Sequence, residues 1–188
     1  NIDKEMEKEK EVYEQFLAGE IDAIVGLEEI SENGNIDYQT RSYSEYTSWC
    51  EEEEITKEYV DFDNDNQNEL VLNLSGPSTI YFNVVGGELS EVFSADGTAE
   101  SSTVLEMDGY QLLEYSDTMH MGRSFRNFNQ YDACNCIVDD FSLSAEYWDS
   151  DDYDCDSSFS YRGESISVEE YVALTYKYNN KGEELSKK

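Results

Sequence analysis

The sequence predicts an α+β fold: an N-terminal helix, a largely antiparallel sheet of about seven to nine strands, and a short C-terminal helix. Three observations predict it. Apolar residues recur at helical spacing between Lys4 and Ala18, with Gly19 as the stop. From Ile55 onward, short β-prone runs are punctuated by acidic residues and glycine. Ser167, with Glu170 three residues on, is the reciprocal capping pair that opens a closing helix.

In the first element Val12, Tyr13, Phe16 and Leu17 share a face, while the opening two turns are nearly all charge and read as a stalk in solvent. Residues 20–40 have a poor pattern, with Asn33-Gly34 as a turn signal, and read as loop with a short helix. Ser42 and Glu45 form a second capping pair, predicting a helix from Tyr43 to about Glu51 with Tyr43, Tyr46 and Cys50 on one side. Glu51 to Glu54 then reads as its solvated end. The strand runs follow as 55–62, 70–74, 79–85, 89–93, 103–107, 111–115, 124–128, 136–148 and 158–161. Asp96-Gly97 and Asp108-Gly109 are strong turn signals that predict antiparallel hairpins on either side of each. The closing helix is expected to present Tyr171, Val172 and Leu174 to the sheet. The domain organisation expected is thus a helix or stalk over 1–19, one β-rich α+β domain over 20–178, and a frayed tail over 179–188.

Fifteen tyrosines and eight phenylalanines, many alternating with polar residues, argue for half-buried strands rather than disorder. Forty-four acidic against twelve basic residues give a formal charge of -32. A phosphate-tracking nucleic-acid binder is excluded by that sign, contact with anionic lipid is unfavourable, and cationic partners remain open. No run approaches the roughly 18 apolar residues of a membrane span. The chain opens at Asn1 in a polar stretch, as does a mature protein cut behind an export signal or a lipid-anchored cysteine, and as does a tag-removal scar. Membrane attachment is expected only through such an N-terminal lipid anchor, which this chain does not contain.

Asp61, Asp63, Asp65, Gln67 and Glu69 alternate between two strand-like runs. Calcium takes six to eight oxygens at about 2.3–2.6 Å, and a tightly curled loop can aim alternate side chains at one point. The side chains of Asp61, Asp63, Asp65 and Glu69, with the carbonyl of Gln67, are therefore the expected ligands of a structural calcium ion. Asn66 stands where such loops usually have glycine, and asparagine tolerates the left-handed conformation. The EF-hand reading is weakened, since its twelfth position falls at Leu72 in a strand and no helix flanks the loop. The alternative is an acidic hairpin turn whose side chains bond their own backbone.

The run Val60-Asp61-Phe62-Asp63-Asn64-Asp65-Asn66-Gln67-Asn68-Glu69-Leu70 resembles the D-x-D-x-D-x-x-x-[DE]-L loops of FG-GAP-type calcium repeats. Together with Phe16-Leu17-Ala18-Gly19-Glu20 ending the first helix, it is similar to small uncharacterised exported lipoproteins of Gram-positive anaerobes. The resemblance covers Asp61 to Leu74 and about a dozen N-terminal residues. It implies export and a β-rich fold, without an activity.

Cys50, Cys134, Cys136 and Cys155 are even in number, which favours disulfides in an exported chain. Two apart on extended backbone, Cys134 and Cys136 lie about 7 Å apart and are poorly placed to bond each other, so cross-links to Cys155 and Cys50 are expected. A zinc site with His120 is the rival reading, though C-x-C is not the usual knuckle spacing. Asp149, Asp151, Asp152, Asp154 and Asp156, beside Tyr147, Trp148 and Tyr153, read as a solvated loop, with a second cation site or an aromatic sugar platform as alternatives. No catalytic residue is assigned: a lone histidine limits triads, and no nucleophile elbow, zincin helix or phosphate loop is present. The expected function is an exported or cell-surface binding or interaction domain of unknown ligand, in the cell envelope or extracellular space, with a cationic protein and a glycan as the partner classes left open. Two alternatives stand beside it: an acidic intracellular inhibitor or nucleic-acid mimic, and a small carbohydrate-binding or carbohydrate-acting protein.

Overall fold

A computed structural model describes residues 2–30, 36–75, 78–118, 122–147, 153 and 156–185. The fold is α+β, with an N-terminal helix, two mostly antiparallel six-stranded sheets and a C-terminal helix. In chain order the described elements are α1 (Ile2–Leu17), β1 (Ala23–Ile30), β2 (Ile36–Arg41), α2 (Tyr43–Thr47), β3 (Thr56–Val60), β4 (Glu69–Leu74), β5 (Ser78–Val85) and β6 (Glu88–Asp96). They continue as β7 (Glu100–Met107), β8 (Tyr110–Asp117), β9 (Arg123–Tyr131), β10 (Ile137–Glu146), β11 (Ser158–Tyr161), β12 (Glu164–Ser165) and α3 (Val168–Leu185). The chain gathers into two compact units, Asn1–Val60 with Gln67–Ser94, and Asp61–Asn66 with Ala95–Lys188.

The first unit carries the sheet β2-β1-β6-β5-β4-β3. Helix α1 stops as its sequence predicts: Gly19 takes φ +74°, its N–H bonds the Phe16 carbonyl at 2.9 Å, and the Glu20 N–H reaches back to Gln15 at 2.9 Å. This pair of bonds satisfies carbonyls that the helix end would otherwise leave open. Tyr13 and Phe16 are buried against Tyr46, Leu70, Leu72 and Phe82, with Val12 and Leu17 half-buried at the rim. Truncating a fully buried ring such as Phe16 costs about 3–5 kcal/mol. The Ser42/Glu45 capping box forms, with Ser42 N–H donating to Glu45 Oε2 at 2.8 Å and Glu45 N–H to Ser42 Oγ at 3.3 Å. Helix α2 is shorter than predicted, and Glu52–Glu54 form a separate 3-10 turn, because four successive glutamates oppose the helix dipole.

The second unit carries the sheet β12-β11-β10-β9-β8-β7 and α3. Asp108-Gly109, at φ +53° and +88°, joins β7 to β8 with Met107 opposite Tyr110, the two-residue turn its sequence predicts. Its core is Leu105, Leu112, Phe128, Phe141 and Leu143 beneath Tyr171 and Tyr178 of α3. The α3 cap is the predicted one: Ser167 N–H donates to Glu170 Oε2 at 2.9 Å, and Glu170 N–H to Ser167 Oγ at 3.2 Å.

Four expectations are corrected. Residues 23–30 and 36–41 pair as the antiparallel strands β1 and β2 rather than forming loop and helix, and the register shifts twice, between Ile24 and Gly26 and between Leu27 and Glu29; the Asn33-Gly34 turn signal lies outside the described residues. Each bulge slips the period-two alternation by one residue, which hides the strand in the sequence. Asp96-Gly97 does turn the chain, but β6 and β7 belong to different sheets and do not pair. The described strands number twelve in two sheets, more than the seven to nine expected in one. On helix α3, which extends to Leu185, Tyr178 rather than Val172, which is 51% exposed, joins Tyr171 in the core.

Candidate cation-binding loop

Extended backbone would place Asp61 and Asp65 about 13 Å apart, at roughly 3.3 Å per residue. The loop is instead curled. Asn64 and Asn66 both take the left-handed conformation, at φ +69° and +70°, which asparagine tolerates better than most residues. Asp61 holds the curl from inside: Oδ1 accepts the Asn64 N–H at 2.8 Å and Oδ2 accepts the Asn66 N–H at 3.1 Å. Asp63 Oδ1 accepts the Asp65 N–H at 3.2 Å, a side-chain-to-backbone turn of the kind Asp forms readily. The bland reading, side chains bonding their own backbone, is thus fulfilled by the same geometry that gathers the carboxylates.

Asn64 also fixes the loop to the second sheet. Its Oδ1 accepts the Gln111 N–H at 2.6 Å, while its Nδ2 donates to the carbonyls of Gln111 at 3.1 Å and Tyr131 at 3.2 Å. The side-chain amide bridges the neighbouring ends of β8 and β9. Between the aspartates, Phe62 is fully buried and packs edge-on against Tyr131 with ring centres 5.9 Å apart. Burial pushes the Tyr131 phenol above its ordinary range, against a hydrogen bond with Asn129 that pulls it down.

The result is that ligand oxygens of Asp61, Asp63 and Asp65 lie within 4.8 Å of one another. Oxygens on opposite sides of one calcium ion stand about 4.6–5.2 Å apart, twice the metal–oxygen distance, so this group is compact enough to share an ion. Asp63 is buried, with 2% of its surface exposed, and Asp61 and Asp65 are half-buried. Like charges this close repel by roughly 0.9 kcal/mol per pair in water and about 3.5 kcal/mol at an effective dielectric of about 20. A carboxylate oxygen has lone pairs enough to accept an N–H and to ligate a cation. These three aspartates could hold a metal ion.

The other two expected ligands follow this group in sequence. Gln67 and Glu69 belong to the first compact unit, and Glu69 is the buried first residue of β4, in register with Val60. What the sequence did not reveal is the role of Asn64. A signal was available in retrospect, since asparagine is both a left-handed residue and a double-ended mimic of the peptide group.

The remaining sequence candidates are resolved unevenly. Cys50, Cys134 and Cys136 are free thiols, so none of the expected cross-links joins any two of these three. Cys134 and Cys136 are exposed on the β9–β10 turn, where Asp132 Oδ1 accepts both of their N–H groups at 2.9 and 3.0 Å. Asn135, at φ +59°, turns the chain between them. Cys155, His120, Trp148 and Asp149, Asp151, Asp152 and Asp154 lie outside the described residues. Of the aromatic group beside them, Tyr147 packs on the second core and Tyr153 stacks edge-on against Phe159 and Tyr171, at 4.9 and 5.7 Å.

No protein-family model, curated protein or solved structure matches the chain.

Proposed function

We propose that residues 61–66 bind a calcium ion through Asp61, Asp63 and Asp65, and that the ion is structural support for an exported or cell-surface binding domain. The single observation that carries the metal reading is the convergence of three carboxylates, one of them buried, on a loop curled by two left-handed asparagines. A divalent cation relieves their mutual repulsion and stiffens the segment that Asn64 pins to β8 and β9. Placement outside the cell follows from the availability of calcium there and from the resemblance of the strand-loop-strand segment to exported lipoproteins. The charge of -32 suits a cationic protein as partner, by field complementarity.

Melting of EDTA-stripped protein tests the metal part. Millimolar calcium should raise the melting temperature by several degrees beyond a sodium chloride control of matched ionic strength, because an ion that binds only the folded state stabilises it by mass action. An equal rise in the two salts would leave only charge screening and contradict the proposal.

A second reading has one specific observation in its favour. The free thiols of Cys50, Cys134 and Cys136 suit a reducing compartment, and so an acidic intracellular inhibitor of a cationic protein. Alkylation of protein taken directly from its native compartment decides between the two: thiols fully labelled without reductant favour this reading, and labelling only after reduction favours export.

A further inference from the structure

The face of the second sheet that lies beneath α3 changes character along its strands. The antiparallel register puts Leu105 opposite Leu112, Thr103 opposite Glu114, and Ser101 opposite Ser116. It then puts Ser116 opposite Arg126, and Ser124 opposite Ala145. Positions two apart share a face, so the apolar floor of the core runs directly into a patch of small hydroxyl side chains. Helix α3 stands over that patch as well as over the core, with Tyr171, Thr175, Tyr178 and Asn179 along one side. Small residues under a helix leave room. Sheet and helix enclose a cleft of about 500 Å³, within the roughly 300–1,000 Å³ range of small-molecule sites.

The charges in the cleft are already matched. Arg126, 9% exposed, gives its Nε to Glu114 Oε1 and its Nη1 to Asn179 Oδ1 at 2.9 Å, and Glu114 is 6% exposed. A ligand carboxylate would have to displace Glu114, against the field of a chain at -32, and a ligand ammonium would have to displace Arg126. The Tyr178 hydroxyl is likewise engaged, with Tyr161 at 3.0 Å, so Tyr178 offers its ring rather than its oxygen. What remains available is hydroxyl groups. Thr175 lines the cleft, and its Oγ1 is buried without a hydrogen-bond partner. Buried polar atoms in native proteins nearly always have a partner, so this one calls for a polar guest. A hydroxyl both donates and accepts, and a row of Ser and Thr is the complement of a row of alcohols.

We infer that the cleft between α3 and the β7–β9 face binds a neutral, polyhydroxylated small molecule of monosaccharide to disaccharide size. Ser101, Thr103, Ser116 and Thr175 meet its hydroxyls, and Leu105 with the rings of Tyr171 and Tyr178 meets its C–H surface. The buried Glu114–Arg126 pair fixes two strands beneath the ligand. The site lies wholly in the second unit, and its chemistry is independent of the calcium loop.

The test is amide NMR and titration calorimetry on the full chain, run once with calcium and once with EDTA so that failure of the loop reading is seen separately. The probes are glucose, galactose, N-acetylglucosamine and cellobiose, with glucuronate and glucosamine as charged counterparts. At least one neutral sugar should shift the amides of residues 101–103, 116 and 175 at about 10 mM or below, and bind more tightly than either charged sugar. Thr175→Val, nearly isosteric, should weaken binding about tenfold without lowering the melting temperature, and Ser116→Leu should fill the cleft and abolish it. The inference is overturned if no neutral sugar shifts those amides, if glucuronate or glucosamine binds as well as the neutral sugars, or if Thr175→Val binds like the parent protein.

Discussion

Replacing Asn64 by alanine removes three hydrogen bonds at once, those to the Gln111 N–H, the Gln111 carbonyl and the Tyr131 carbonyl. At about 0.5–1.5 kcal/mol net for each, the loss is roughly 1.5–4.5 kcal/mol. Alanine must also adopt φ near +69°, which asparagine tolerates and alanine resists by about 1 kcal/mol. The expected destabilisation is therefore about 2.5–5.5 kcal/mol, a large share of the about 5–15 kcal/mol that holds a typical domain together. Two companion variants separate the contributions. Asn64→Gly loses the same bonds but not the backbone comfort, and should be about 1 kcal/mol less harmful than alanine. Asn64→Asp keeps an acceptor for the Gln111 N–H, loses both donors, and adds a fourth carboxylate beside Asp61, Asp63 and Asp65. Urea unfolding at fixed free calcium, followed by tyrosine fluorescence, measures all three. If Asn64→Ala moved the unfolding free energy by less than about 1 kcal/mol with an unchanged m-value, the amide would not be what seats the loop on β8.

Other predictions follow from single contacts. Arg126→Ala leaves Glu114 buried without its guanidinium and should cost about 3–5 kcal/mol in urea unfolding; a cost under about 1 kcal/mol would show that water reaches the carboxylate freely. Raising pH should unfold the protein through its tyrosines. Burial, together with Tyr171 alongside, pushes the Tyr153 phenol up to about 12, and burial with the hydrogen bond to Glu91 raises that of Tyr46. Both groups hold their protons more tightly folded than unfolded, so their contribution is complete below the unfolded value near 10.0 and is lost as pH climbs from there, through about 12 for Tyr153 and beyond it for Tyr46. A urea midpoint that stays level across that window would contradict it.

Much of the fold is legible where one local signal decides the outcome. The Ser42/Glu45 and Ser167/Glu170 pairs each form the predicted box, because a cap involves only residues three apart. Gly19 and Asp108-Gly109 act as read, because positive φ at those positions is a property of the residues themselves. The failures are failures of partner choice. Asp96-Gly97 specifies a reversal but not which sheet receives the next strand, so two six-stranded sheets looked like one. Strand β1 is invisible because its two bulges scatter Ile24, Val25 and Leu27 out of alternation. Past Lys177, α3 has little apolar pattern in Asn179, Asn180 and Gly182, yet the helix continues to Leu185. At the site, the alternation Asp61, Asp63, Asp65 was legible as a ligand pattern, whereas the anchoring by Asn64 was not. Its partners Gln111 and Tyr131 are 47 and 67 residues away, and no local spacing encodes such a contact.

The calcium loop is tested most directly by counting ions. Equilibrium dialysis of the stripped protein against calcium, at fixed ionic strength, should give saturable uptake with a loop-dependent component that Asp63→Asn removes while leaving the circular dichroism spectrum intact. Uptake unchanged by that substitution would mean that the three aspartates are a hydrogen-bonded turn and that calcium binds the acidic surface at large.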